Sequence, residues 1–142
     1  MRGLLIGALV VCLATAAASA AAEPPDPCVL VTPADATPVF AKTPPRAKTT
    51  GRATRSCTYA VKRQTMTVKT RALGSQSAFM ASIRALKGLV LPIEGLSNAF
   101  SAGDGREMLL WRNNVEVTVS FTGVDPVFAT QESLANAALH AL

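Results

Sequence analysis

Hydrophobic and polar residues alternate most regularly near the C-terminal end of the chain. Val115, Val117, Val119 and Phe121 fall on one side of an extended segment, and Glu116, Thr118 and Ser120 on the other. A period of two over Val115 to Thr122 predicts a strand with one buried face. The tight pair Asn113-Asn114 precedes it and joins it to a strand over Glu107 to Arg112. A turn at Gly103-Asp104-Gly105 links that strand back to another over Ala99 to Ala102. Ser56 to Lys62 alternates in the same way, with Cys57, Tyr59 and Val61 facing one side, and so does Thr65 to Ala72, with Met66, Val68 and Thr70 together. Joined at Arg63-Gln64, these two runs predict a β-hairpin.

Elsewhere the period lengthens. Phe79, Ile83 and Leu86 recur at helical spacing behind a cap at Ser75 or Ser77, and Gly88 supplies the stop after Lys87. Asp125-Pro126 opens a last helix that offers Phe128, Leu134, Ala135, Ala138 and Leu142 for burial. Near the other end, Cys28 to Val31 has strand-like character, and Thr32-Pro33 then starts a short helix that Pro38 breaks near Thr37, leaving Val39 and Phe40 able to reach the core. Thr43 to Arg55 has two prolines, a glycine and no apolar period, which predicts an exposed loop. Leu89 to Ser97 is a connector, because Pro92 and Gly95 oppose a regular central strand. The predicted order is α-β-β-α-β-β-β-α, an α+β domain with an antiparallel sheet of about five strands and helices on one face.

The first 22 of the 142 residues change the picture of where this domain works. Arg2, an apolar run from Leu4 to Ala14 and small residues suited to cleavage after Ala20 or Ala22 predict a secretory signal peptide over 1–22. Residues 23–142 then form a single domain, periplasmic or secreted. Cys12 lies inside the apolar run rather than at the cleavage point, so lipidation is not expected. No later stretch approaches the roughly 18 apolar residues of a membrane span. Removing Cys12 with the leader leaves Cys28 and Cys57, an even pair in an oxidising compartment, and predicts a disulfide. Its loop of about 29 residues would contribute roughly 3–4 kcal/mol on a chain-entropy account.

Charge is unevenly placed. Between Ala36 and Ile93 there are eleven basic residues and no acid, whereas from Glu94 onward six acids face only Arg106 and Arg112. Such a first half favours anionic partners. Its loop contributes Arg46, Lys48, Arg52 and Arg55 as candidate binding residues, and Trp111 is a candidate partner anchor on the sheet if it is not core.

The spaced segments PCVLVTPADA, CTYAV, PIEGLSNAF and LLWRNNVEVTVS, followed by an alanine-rich helix, resemble small exported bacterial envelope proteins, often lipoproteins, of domain-of-unknown-function families. Those families share a C-x-L-L-T start, a second cysteine followed by an aromatic, and a final hairpin and helix. Ser97 and Asn98 stand where the families carry a Gly-Asp turn. The resemblance covers most of residues 23–142 and implies the paired-cysteine α+β plan without implying an activity.

Catalytic patterns are sparse. His140 is the single histidine, the third residue from the end, and no G-x-S-x-G accompanies it. Glu107 and Glu116 are the carboxylates that consecutive strands could bring together as cross-strand neighbours, with Arg106 or Arg112 as their expected partners. No calcium loop, thiolate knuckle or phosphate loop is present, so neither metal nor cofactor is expected. The basic segment lacks the interleaved aromatics of a single-strand platform, which argues against nucleic acid. The expected function is a non-enzymatic binding module for an envelope protein or anionic polymer, working through the open sheet face and the basic loop. The alternative is an exported inhibitor or accessory subunit of an envelope enzyme.

Overall fold

A computed structural model describes residues 22–142, so residues 1–21 of the predicted leader, Cys12 among them, lie outside the described residues. Two single-turn helices, α1 (Pro27–Leu30) and α2 (Thr37–Phe40), lead into the hairpin of β1 (Thr54–Val61) and β2 (Gln64–Ala72). Helix α3 (Gln76–Ala85) follows, then β3 (Val90–Pro92), β4 (Ala99–Ala102), β5 (Glu107–Arg112) and β6 (Val115–Thr122), and α4 (Phe128–His140) closes the chain. The strands form one antiparallel sheet in the order β1-β2-β6-β5-β4-β3. After β2 the chain crosses under cover of α3 to the far edge, and the β3-to-β6 meander returns until β6 pairs with β2.

The α+β class is as expected, with six strands rather than five. The added strand is β3, which pairs Val90, Leu91 and Pro92 with Ala102, Ser101 and Phe100. It is an edge strand, where a proline's missing N–H costs no ladder bond on the open side. Cys28 to Val31 is helical rather than strand-like: Asp26 caps Cys28 N at 2.9 Å and Pro27 occupies the first turn. Pro38 sits in the first turn of α2 instead of interrupting a longer helix, with Val39 and Phe40 buried.

The helices also cover both faces of the sheet rather than one. Met108 and Leu110 of β5 point to the face that α1, α2 and α4 bury, together with Cys57, Tyr59, Met66, Val68, Val117, Val119 and Phe121. Leu109 and Trp111 point the opposite way and meet Phe79 and Ile83 of α3. A strand apolar on both sides needs cover on both sides, which is what draws α3 away from the other helices.

The disulfide joins Cys28 of α1 to Cys57 of β1, with 5.4 Å between Cα atoms. The residues before α1 are docked as well: Thr70 Oγ1 donates to Pro25 O at 2.7 Å and Arg55 Nη1 to Pro24 O at 3.2 Å. At the other end of the sheet, buried Gln131 donates to Gly105 O and Pro126 O and accepts from Ser101 Oγ. Gly105 has φ +86°, and a Cβ there would collide with the Gln131 amide, so this turn demands glycine. Phe128, expected to be buried, is 48% exposed at the start of α4.

Candidate functional site

Helix α3 is too short to cover its face of the sheet. Ten residues span about 15 Å, and its apolar side rests on Leu109, Phe100 and Trp111 toward the β4–β5 half. The β2 and β6 positions on that face are polar, among them Thr67, Lys69, Arg71, Glu116, Thr118 and Ser120; Glu107 of β5 and Thr58 of β1 lie beside them, the Thr58 and Thr67 hydroxyls 3.1 Å apart. Where the end of α3 overhangs this surface, a groove of about 760 Å³ opens. Its cations come from three parts of the fold: Arg71 from β2, Lys87 just beyond α3, and Arg106 from the turn before β5.

Glu116 lies on the groove floor and is 4% exposed. It stands opposite Arg71 in the β2–β6 register, and its Oε1 accepts from Arg71 Nε at 2.6 Å. Arg71 Nη2 reaches on to Ser82 Oγ of α3 at 2.8 Å, so one guanidinium ties the helix to the sheet while neutralising the buried carboxylate. The second carboxylate oxygen, Oε2, is buried and has no hydrogen-bond partner among the described residues.

Arg106 and Arg112 are therefore not the partners of the groove carboxylates. Arg106 Nε pairs with Asp125 at 3.0 Å, with both side chains exposed, and Arg112 lies on the opposite face and donates to Leu139 O at the end of α4. Nor are Glu107 and Glu116 cross-strand neighbours. Glu107 faces Ser120 and Glu116 faces Trp111, an offset of four residues or about 13 Å along the sheet.

The loop cations do not converge. Arg46 and Lys48 flank a separate groove of about 520 Å³, with Asp26, Thr32 and Tyr59 in its wall. Arg52 lies beside Glu23 and Pro24. Arg55, its side chain 22% exposed, belongs to β1 and faces Glu23 and Asp26, each at 3.5 Å. The loop itself is fastened down: Thr37 and Thr43 hydroxyls meet at 3.0 Å, Thr49 Oγ1 donates to Asp26 Oδ1, and Thr50 and Ser56 exchange backbone bonds.

These contacts set two titrations. The Thr49 hydroxyl, then the Cys28 amide and the Arg55 charge, hold the Asp26 carboxyl below its ordinary value, outweighing partial desolvation. Burial, reinforced by the charges of Asp35 and Asp26, pushes the Tyr59 phenol up, and its hydroxyl donates to Val31 O at 2.5 Å.

Trp111 is half-buried and stacked on Phe79, with ring centroids 6.0 Å apart and planes 19° apart. Its indole N–H is buried without a partner among the described residues. The indole also borders a cavity of about 360 Å³ containing Asn98, Asn136 and His140. No cluster of three or more His, Cys, Asp or Glu side chains able to hold a metal occurs among the described residues, and none of the described helices is long and apolar enough to cross a membrane.

Arg71, Lys87 and Glu116 escaped the reading of the sequence as a group. Their juxtaposition depends on the β2–β6 pairing and on the face chosen by α3, both non-local. The chain matches no protein-family model, no curated protein and no solved structure.

Proposed function

We propose that the protein is an exported, non-enzymatic binding module, periplasmic or secreted, whose groove beneath α3 receives an anionic polymer. The convergence of Arg71, Lys87 and Arg106 on one groove carries this reading. Glu116 and Asp125 hold Arg71 and Arg106 in place and offset their charge, so the attraction rests chiefly on Lys87, which has no ion-pair partner among the described residues and stands beside low-dielectric walls at Leu86 and Leu109. The Cys28–Cys57 disulfide suits an oxidising compartment, and the leader reading over 1–22 and the resemblance to exported envelope proteins point the same way. The sewn-down state of the 43–53 loop favours the groove over the loop as the binding element.

The test is retention on an anionic polymer as a function of salt. Replacing Lys87 and Arg106 together by Gln should weaken binding about tenfold at low salt and flatten its salt dependence. The triple change Arg46→Gln, Lys48→Gln, Arg52→Gln should have a smaller effect. The reverse ranking would assign binding to the loop and reject the groove.

A further inference from the structure

Strand β3 is an open edge of the sheet, and one bond fixes the direction of its backbone groups. Ile93 N donates to Ala99 O at 2.9 Å, so Ile93, and Leu91 two residues before it, turn their N–H and C=O groups toward β4. Val90 is out of that phase and turns both of its groups outward, and Pro92 adds an outward C=O. No backbone bond reaches Val90 or Pro92 from the open side among the described residues. The edge thus offers one donor and two acceptors in strand geometry, while Pro92 withholds the N–H that open-ended pairing would use.

The side chains beside this edge are apolar and exposed. Among the described residues six large hydrophobic side chains are exposed, and three of them, Leu89, Leu91 and Phe128, line one cleft of about 280 Å³ between β3 and the start of α4. Val127, a fourth, adjoins it in the chain. Leu91 stands opposite Ser101, which bonds to Gln131 of α4, so Leu89 and Leu91 share the α4 side of the strand. A strand laid against β3 would send every second side chain over this cleft. Asp104 is the one ionised residue lining it and has no ion-pair partner among the described residues. Glu94 is exposed just past the other end of β3. Lys87 lies beyond Gly88 in the groove beneath α3, and Asp125 is matched by Arg106, so neither offsets Asp104.

We propose that β3 accepts an extended segment of a partner protein as a seventh, antiparallel strand. Alternate apolar side chains of that segment enter the cleft of Leu89, Leu91 and Phe128, and a flanking lysine or arginine meets Asp104. The surface is separate from the groove beneath α3 and does not depend on the anion reading. A second copy fits it less well. Each β3 edge has a single outward N–H, so two edges exchange at most two bonds, and both Asp104 carboxylates remain without a cation. A partner segment brings its own donors to Val90 O and Pro92 O and its own positive charge.

The probe is the acetylated and amidated peptide Lys-Thr-Leu-Thr-Leu-Thr-Lys, titrated into the oxidised protein at low salt and followed by backbone amide chemical shifts. Leu89, Val90, Leu91 and Asp104 should shift, and Arg71 and Thr118 should not. In antiparallel pairing, the amides facing β3 belong to residues whose side chains point away from the cleft. N-methylation of the three threonine amides should therefore abolish binding, whereas N-methylation of the two leucine amides should change affinity by no more than about twofold. Loss with the leucine set, or no difference between the two sets, would overturn the proposal. Leu91→Ser and Phe128→Ser, both at exposed positions, should each weaken binding about fivefold. Asp104→Asn keeps a residue tolerant of the left-handed φ of +58° and should weaken binding about threefold with most of its salt dependence removed. Unchanged affinity in all three variants would place the contact elsewhere and overturn the proposal, as would failure to bind at millimolar peptide. Self-association of the free protein that Phe128→Ser abolishes would give the edge to a second copy and overturn it as well.

Discussion

Asp26 gathers more of the N-terminal architecture than any other single side chain. It caps α1 through Cys28 N, accepts from Thr49 of the basic loop and faces Arg55 of β1, so helix, loop and strand meet at one carboxylate. Replacing it by Ala should cost about 1–2 kcal/mol, the range for a lost N-cap, measured by denaturant unfolding at neutral pH. Because the folded-state pKa is depressed, the charged form's contribution is complete above the ordinary value of 3.8 and is lost as pH falls through the lower folded value. The stability gap between parent and Asp26→Ala should accordingly narrow below pH 3.8, and a gap independent of pH would contradict this account. Tyr59 gives the opposite sign at the alkaline end. Its raised pKa means a contribution that is whole below 10.0 and lost as pH climbs beyond it.

Among the elements, β1, β2 and β6 were legible because each shows a buried face as a period of two, and β5, apolar on both sides, was legible from the turns that bound it. The segments Glu107 to Arg112 and Val115 to Thr122 coincide with β5 and β6, while the predicted Ser56 start of β1 lies two residues inside its Thr54 end. Strand β3 was hidden by Pro92, whose exclusion from central strands says nothing against an edge. The placement of α3 was hidden for another reason: its apolar stripe shows that it packs, but only the two-sided burial of Met108, Leu109 and Leu110 shows against which face. The cysteine pair was legible in full, and its mechanical role follows from what it joins. It fastens α1 to β1 across the segment that carries the loop, far from the β5–β6 ladder. Reduction should lower stability by about 3 kcal/mol. In hydrogen exchange it should deprotect Leu30, Thr50 and Ser56 well before Val117 and Val119, and uniform loss across the sheet would refute that division.

For the whole molecule, the long acid-free stretch from Ala36 to Ile93 does not become one positive patch. Folding turns Arg55 toward Glu23 and Asp26, leaves Arg46 and Lys48 beside one groove, and carries Arg71 and Lys87 to another, where Arg106 from the acidic half joins them. Linear charge density therefore pointed to the loop, while the three-dimensional arrangement favours the sheet. This is the central claim, and backbone amide chemical-shift mapping of the oxidised protein with a short oligogalacturonate at low salt tests it most directly. The account predicts shifts that cluster on Arg71, Lys87, Arg106, Glu107, Thr118 and Ser120. Shifts confined to Arg46, Lys48 and Arg52 would contradict it.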